Sequence, residues 1–333
     1  PLRFPEFSGE WEEEQLDSIA TLSKGIGISK EQLSEDGEPC ILYGELYTKY
    51  KSEIIKQVES KTDIDCSKLK RSKANDVIIP CSGETAVDIA TARCVPFDNI
   101  LLGGDLNIIS LHKYDGAFMS YQLNGKRKYD IARVAQGVSV VHLYGEHLKA
   151  IKTYNPSLPE QQKIAKLLSL IDERIATQNK IIEDLKKLKS AIRKKIFSLL
   201  KDEYTKSFEI NQLLDYEQPT AYIVANDEYS TDTRLTPVLT ANKGFILGYT
   251  DEKNGIYQKG ACIIFDDFTM DAKYVSFPFK VKSSAIKILT AKPNVNLRFM
   301  FEYLSHWELK SEEHKRHYIS EISPLVRSEE HTS

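Results

Sequence analysis

Cysteine is scarce in this chain, and long apolar runs are absent from it. The 5 cysteines among 333 residues are odd in number and none has CxxC spacing, which is typical of reduced structural thiols in a cytosolic protein rather than of disulfides. No stretch approaches the roughly 18 apolar residues of a membrane span, and the first residues do not form a signal peptide. These absences predict a cytoplasmic protein that does not contact a membrane.

Catalytic motifs are missing as well. The sequence holds no GxxxxGKS or GxxxxGKT phosphate loop and no Asn-Pro-Pro-Tyr tetrapeptide of an amino-methyltransferase, and Gly103-Gly104 is only a turn signal. His314 and His317 lack a third metal ligand, and the Asp266-Asp267 pair lacks the Glu-x-Lys that would support a metal-dependent nuclease. We therefore predict a non-enzymatic chain that holds no cofactor and no metal.

Neither sign of charge dominates the sequence. It has 45 basic and 48 acidic residues, for a net charge of −3, which argues against a histone-like binder of polyanions and leaves room for a local basic face. Hydrophobic residues make up 41% and charged residues 28%, as in a globular protein. A chain of this length can form two domains of ordinary size.

Proline and glycine are also absent for more than forty residues after Pro159. Apolar residues recur there with heptad spacing, broken once at Lys189, and Gln178 is a polar seam residue that fits a register-setting role. A helix from Pro156 to about Leu200 would be roughly 60 Å long, so we expect it to span two bodies; an ordinary amphipathic core helix is the alternative. The predicted helix interface comprises Ile164, Leu168, Ile171, Ile175, Gln178, Ile182, Leu185, Ile192 and Ile196.

Short elements precede this helix. The sequence predicts a buried strand at 76–80 that ends in a loop at 81–85, followed by strands at 99–102 and 106–111. A short helix at 118–123 and a closing strand at 139–143 complete a mixed α/β domain.

The same order of elements returns after the helix. Residues 208–213 echo 11–16, residues 260–265 take the place of the strand at 77–80, and residues 285–289 parallel 105–109. Phe299-Met300 with Leu304 parallels Phe118-Met119 with Leu123. A period of about 180–200 residues indicates a duplicated domain rather than a solenoid.

The duplication sets the expected boundaries. We predict a first domain at 1–155, a spacer helix at 156–202 and a second domain at 203–326. A second long helix is expected to follow the second domain, so the chain is interpreted as a fragment. Residues 327–333, RSEEHTS, look like a translated adapter oligonucleotide and are interpreted as a non-native tail.

At this point the sequence resembles a family, the DNA-specificity subunits of Type I restriction–modification systems. The most specific part of the resemblance is LPEQQKI at 158–164, continued by LIDERI at 170–175. The opening residues 2–7 and 9–11 and the stretch VLTANKGFILGY at 238–249 are also similar to the family. The resemblance covers nearly the whole chain.

The resemblance implies an α+β (mixed α/β) fold with two duplicated target-recognition domains joined by a long coiled-coil-type helix. Each domain would read one half of a split site in double-stranded DNA, with the helices holding the domains apart and docking methyltransferase subunits. A restriction and translocase subunit would join the complex, which would carry the methyltransferase and ATP-dependent endonuclease activities. The chain departs from the family in lacking the distal helix.

Candidate DNA contacts are chosen for small, amide or basic side chains, which suit base edges and phosphates. A second basic run, Lys68 to Lys73, lies in the same domain as the first set. In the first domain the candidates are Ser82, Gly83, Glu84, Thr85, Lys126, Arg127, Lys128, Gln136 and Gly137. In the second domain they are Asn242, Lys243, Asp267, Thr269, Lys273, Lys315 and Arg316.

Two other function classes compete with DNA recognition. One is a structural or interaction protein, in which the coiled-coil helix carries two ligand-binding domains without DNA specificity. The other is an autonomous nuclease or methyltransferase, which modification of DNA without partners would reveal. The target bases, the gap between half-sites, the oligomeric state and the choice between restriction and methylation alone stay open at the level of sequence.

Overall fold

The computed structural model describes residues 3–137, 140–201, 207–241, 244–306, 323–324 and 326–328. The chain divides into two compact units, Pro1–Lys180 and Ile181–Ser333. The division falls inside one continuous helix, so each unit includes about half of it. The predicted mixed α/β fold with a long central helix is confirmed.

The first unit contains short strands and helices. Its strands are β1 (Glu12–Gln15), β2 (Ala20–Lys24), β3 (Leu33–Ser34), β4 (Glu38–Ile41), β5 (Lys61–Thr62), β6 (Lys70–Arg71), β7 (Asp76–Pro80), β8 (Ser82–Gly83), β9 (Arg93–Val95), β10 (Leu101–Leu102), β11 (Leu106–Leu111), β12 (Val141–His142) and β13 (Lys152–Asn155). Its helices are α1 (Leu16–Ile19), α2 (Glu45–Thr48), α3 (Ala86–Ile89), α4 (Gly116–Asn124), α5 (Lys128–Val134) and α6 (Gly145–Lys149), with a 3-10 turn at Lys30–Gln32.

The long helix α7 (Leu158–Lys201) follows, and then the second unit. Its strands are β14 (Ser207–Glu209), β15 (Leu214–Glu217), β16 (Thr236–Leu239), β17 (Ile246–Thr250), β18 (Cys262–Asp266), β19 (Ala272–Val275), β20 (Lys280–Val281), β21 (Ile286–Ala291) and β22 (Val326–Ser328). Its helices are α8 (Ile210–Leu213) and α9 (Leu297–His306), with a 3-10 turn at Pro219–Tyr222.

Both units are built around a four-stranded antiparallel sheet with the same strand order. The order is β2-β11-β7-β9 in the first unit and β15-β21-β18-β19 in the second. A smaller sheet repeats a parallel pairing, β10 beside β4 and β20 beside β16. Helix α4 follows β11, and helix α9 follows β21 in the same way. The predicted duplication is therefore confirmed at the level of topology.

The central strand of each sheet is buried on both faces. Val77 and Ile79 of β7 belong to one apolar cluster, whereas Ile78 belongs to another. In β18, Ile263 and Phe265 face one cluster and Ile264 faces the other. Because successive strand residues point to opposite faces, a strand between two apolar layers requires the continuous apolar run that the sequence shows.

Several local expectations need correction. The predicted correspondence of 11–16 with 208–213 is wrong by three residues, because α1 and α8 place Leu16 opposite Ile210 and Ile19 opposite Leu213. A shift of three residues is almost one helical turn. The apolar residues therefore recur at similar positions in both alignments, and the sequence does not distinguish the two. The strand expected at 99–102 is shorter, since Asn99 has a positive φ of 64°. The strand expected at 139–143 is reduced to β12, with residue 139 outside the described residues.

Strand β22 includes two residues of the predicted non-native tail. Arg327 and Ser328 pair with Phe208 and Ser207 in the β14–β22 ladder. Excluding them from the fold was therefore wrong, while the non-native origin of 327–333 stays a prediction.

Candidate nucleic-acid interface

The candidate residues of the first unit lie together at one end of its main sheet, where β7 ends. Ser82 and Gly83 form β8, which pairs with His142 and Val141 of β12. Gln136 exchanges backbone hydrogen bonds with His142, at 2.9 and 2.7 Å. Sequence positions more than fifty residues apart are thus joined in one surface, which we call the β7-end surface: residues 82–85, 126–137 and 140–142.

Side-chain hydrogen bonds stabilise the conformation of this surface. Thr85 caps α3, since its Oγ1 accepts a hydrogen bond from the Asp88 backbone N at 3.1 Å and donates one to the Asp88 carboxylate at 2.6 Å. The Ser82 Oγ lies 3.3 Å from Nδ1 of His142. Gly137 has a φ of 117°, and a Cβ there would lie 2.1 Å from the Val140 carbonyl oxygen. Only glycine fits that position without moving the backbone.

The basic residues of the β7-end surface differ in their availability. The Arg127 side chain is only 13% exposed, pairs with Asp130 at 3.1 Å and lies over the Tyr154 ring at 5.2 Å. That arrangement suits a structural contact between α5 and β13 more than contact with a ligand. Lys126 is exposed and Lys128 is half-buried, and neither has an ion-pair partner in the described part of the chain.

A cleft of about 680 Å³ opens beside this surface. Tyr43, Tyr47, Ser82, Glu84, Asp88 and Arg93 are among the residues that line it. The Tyr47 hydroxyl donates to the Ser82 carbonyl at 3.1 Å, and burial raises the pKa of this phenol. The cleft offers carboxylates and hydroxyls at its rim, so it suits amino and carbonyl groups of bases better than phosphates.

Arg93 is one of several residues of this cleft that sequence reasoning missed. It is 8% exposed, and its guanidinium donates from Nε to the Tyr50 carbonyl at 2.6 Å and from Nη1 to the Ala92 carbonyl at 2.8 Å. Burial lowers its pKa. Among the described residues no carboxylate lies within ion-pair distance of it. The sequence feature that could have identified it is the position of this arginine inside the otherwise small and apolar run Ala92–Val95.

A second, smaller cleft of about 360 Å³ lies at the opposite end of β7. The basic run noted in the sequence contributes Lys70, Arg71 and Lys73 to its lining. Arg71 is held by both carboxylate oxygens of Glu38, which lowers the pKa of that carboxyl through the hydrogen bonds to Arg71. Lys70 and Lys73 remain as cations without ion-pair partners within the described ranges.

The candidates of the second unit are only partly described. Asn242, Lys243, Lys315 and Arg316 lie outside the described residues. Thr269 is exposed in the turn after β18, and Lys273 is half-buried in β19. Since β18 corresponds to β7, this turn occupies the same end of its sheet as residues 82–85 do in the first unit.

Asp267 is buried rather than presented to solvent. Its carboxylate lies 3.4 Å from Nζ of Lys287, and the two side chains are 2% and 1% exposed. A charge pair removed from water in this way is a structural contact of the sheet end. In this conformation Asp267 does not offer its carboxylate to DNA.

The predicted helix interface is almost wholly uncovered. Ile164 and Leu168 are half-buried, and Gln178 is exposed. The six remaining seam residues are between 46% and 58% exposed: Ile171, Ile175, Ile182, Leu185, Ile192 and Ile196. A continuous apolar strip of this kind on a monomer marks an interaction surface.

Metal ligands do not cluster anywhere in the described ranges. Among those residues no group of three or more His, Cys, Asp or Glu side chains is arranged to hold a metal ion. No helix described there is long and apolar enough to cross a membrane.

The sequence of this chain resembles those of known proteins. The sequence model of the Type I restriction modification DNA specificity domain matches residues 8–187, more than half of the chain. The chain is similar to the specificity subunit of the Type I restriction enzyme EcoR124I/EcoR124II of Escherichia coli, with 45% identity over 122 residues, 34% of this chain and 30% of that protein. It is 30% identical over 125 residues, 37% of this chain, to the MjaVIII specificity subunit of Methanocaldococcus jannaschii, matching 28% of that protein.

The fold has a solved counterpart. The crystal structure of the S subunit of a Type I restriction–modification system from M. genitalium superposes with a TM-score of 0.69 at 16% identity, covering 98% of this chain and 86% of that one. At that identity the likeness concerns the fold alone. The sequence matches span about a third of the length of the two curated relatives.

Proposed function

Because the chain belongs to the family of Type I restriction–modification DNA-specificity proteins, we propose that it is the DNA-sequence-recognition subunit of such a system. Each unit reads one half of a split site in double-stranded DNA. Helix α7 serves as the spacer between the readers and as a docking surface for methyltransferase subunits. The chain itself is non-catalytic, and methylation and ATP-dependent cleavage come from the methyltransferase and restriction subunits of the complex.

One observation supports this proposal above the others. The same strand order occurs twice, on either side of a helix of 44 residues, which corresponds to about 66 Å. Two readers that contact one duplex must be separated by about one helical turn of DNA, near 34–36 Å, or a small multiple. A long helix sets such a separation, whereas a flexible linker would not.

The β7-end surface is the proposed reading site of the first unit. Ser82 and Glu84 supply a donor and acceptors for base edges. Lys126 and Lys128 supply cations for neighbouring phosphates, which fix position without reading sequence. The turn around Thr269 is the corresponding part of the second unit.

Methylation mapping tests the proposal as a whole. The protein is co-expressed with the methyltransferase subunit of its own system, and modified bases are read across the host genome. A split motif with a fixed gap is the expected result. A continuous motif, or no methylation with both proteins present and folded, would contradict a two-reader subunit.

A reciprocal pair of variants tests the assignment of readers. Glu84→Gln is expected to relax the preference at one position of one half-site, at a cost of about 1–3 kcal/mol in discrimination. Thr269→Ala is expected to act only on the other half-site, so each variant is the control for the other. Effects of both variants on the same half-site would overturn the assignment.

A further inference from the structure

The stretch of α7 that carries the family resemblance is tied to the first unit by its polar side chains. Glu160 is 1% exposed, and its carboxylate accepts hydrogen bonds from Nε and Nη2 of Arg3 at 2.8 and 2.7 Å. Gln161, also 1% exposed, accepts a hydrogen bond from the Asp115 backbone N at 2.9 Å and donates one to the Pro156 carbonyl at 2.8 Å. The start of α7 is thereby joined to the start of α4.

A second attachment lies farther along the same helices. The Tyr121 hydroxyl of α4 donates to the carboxylate of Asp172 at 2.5 Å, and burial together with this carboxylate raises the pKa of Tyr121. Beside it, Lys56 pairs with Glu173 at 2.7 Å. The two attachments, at Gln161 and Asp172, are about 16 Å apart along the helix axis.

These attachments leave the apolar seam uncovered from Ile171 onward. Ile171 and Ile175 are 46% and 53% exposed although Asp172 between them is engaged. Successive residues of a helix differ by about 100° in direction, so one face of α7 holds the first unit while the neighbouring face carries the seam. The polar residues of LPEQQKI and LIDERI therefore attach the first unit to α7, which is a role separate from that of the seam.

We propose that Glu160, Gln161, Asp172 and Glu173 are positioning residues that fix the rotation of the first unit about α7. This rotation decides which gap between half-sites the complex accepts, an inference that rests on the proposed function. One added base pair turns the next half-site by about 34° and moves it by about 3.4 Å. Glu160 and Gln161 differ by about 100° in direction, and so do Asp172 and Glu173. Each attachment therefore contacts the first unit from two directions around the helix, which resists rotation about its axis.

The test loosens the second attachment without touching the proposed reading residues. The double variant Tyr121→Phe/Lys56→Ala removes both contacts to Asp172 and Glu173. In the methylation experiment it is expected to raise modification at sites with a gap one base pair longer or shorter, on the order of tenfold relative to wild type. Both half-site sequences stay unchanged. Lys56→Arg, which keeps the ion pair, retains the wild-type gap.

The control is Lys149→Ala, which removes ion pairs with Glu146 and Asp17 in the same unit and leaves the α7 contacts intact. It should show the wild-type gap and an unfolding midpoint within about 2 °C of wild type. A wild-type gap in the double variant overturns the inference, and so does relaxed reading of the half-site sequence itself. Failure of the wild type to give a split motif refutes the proposed function, and the inference falls with it.

Discussion

Equivalent positions in the two sheets carry different buried polar groups. Asn107 of β11 is 3% exposed and donates to the Leu143 carbonyl at 2.9 Å. Lys287 of β21 takes the same place in the second sheet and reaches Asp267 and, at 3.2 Å, the Gln218 side-chain oxygen. A buried polar group requires a partner. The equivalent ends of the two sheets are therefore stabilised by different sets of polar contacts.

Replacing Lys287 is expected to destabilise the second unit severely. Lys287→Ala removes the cation that lies 3.4 Å from the buried Asp267 carboxylate, and removing one partner of a buried ion pair costs about 3–5 kcal/mol. The measurement is the free energy of unfolding by urea, followed in the full chain. The control, Lys282→Ala, removes an exposed lysine five residues earlier. Equal stability of the two variants would show that the ion pair does not hold the sheet end.

The cysteines are expected to differ sharply in reactivity. Burial raises the pKa of Cys40 and Cys81 to about 11 and that of Cys94 and Cys262 to about 12. Cys66 is half-buried, and burial followed by the nearby Glu38 raises its pKa as well. Because the thiolate is the reactive form, alkylation at pH 8 should be slow and confined to Cys66.

Mass spectrometry after iodoacetamide treatment checks this expectation. Modification of Cys66 should increase as the pH rises, because its raised pKa leaves little thiolate near neutrality. Unfolding in urea should expose all the thiols. Rapid labelling of Cys94 in the folded protein would contradict the burial described for it.

At the scale of elements, α7 uses neighbouring residues for opposite purposes. Phe197 is 7% exposed and packs edge-on against Phe299 and Tyr303 of α9, with ring centroids 5.5 and 5.3 Å away. Arg193 adds hydrogen bonds to Glu302 of the same helix. Ile196, one residue before Phe197, is 48% exposed. The helix therefore presents one face to the second unit and leaves the seam uncovered there too.

This contrast gives a matched pair of variants. Phe197→Ala is expected to lower the free energy of unfolding by about 3–5 kcal/mol, since it removes a buried aromatic side chain. Ile196→Ala should stay within about 0.5 kcal/mol of wild type, because its side chain is already half in water. Ile196→Ala should instead reduce binding of a hydrophobic dye to the exposed strip. Thermal and urea unfolding of both variants measures the difference.

At the scale of the whole molecule, duplication and the long helix together support a bipartite reader. If α7 is the spacer, a change in its length should alter the gap and nothing else. One heptad inserted after Ala176 lengthens the spacer by about 10.5 Å. Methylation mapping should then show a longer gap between unchanged half-sites. An unchanged gap would show that α7 does not set the distance between the two half-sites.

The sequence by itself determined the elements whose pattern is local. The seam from Ile164 to Ile196 predicted α7 because heptad spacing relates residues that are close together in the chain. Strand β7 was predicted from its unbroken apolar run. The gathering of 82–85 and 126–137 at one end of the sheet depends on the order in which strands pair. No strand order was predicted from the sequence, where only a faint repeat was visible, and that repeat was misaligned by three residues at α1 and α8.

The tertiary structure alone decided what the polar residues do. Asp267 and Arg127 looked like surface contacts for DNA, yet one is buried against Lys287 and the other is held by Asp130 and Tyr154. Arg93 stood out in the sequence only as an arginine within an apolar run, and its place in the cleft was decided by the tertiary structure. A polar side chain's role is set by the partner and the burial it meets in three dimensions. Both come from residues far away in the chain, which local sequence patterns do not specify.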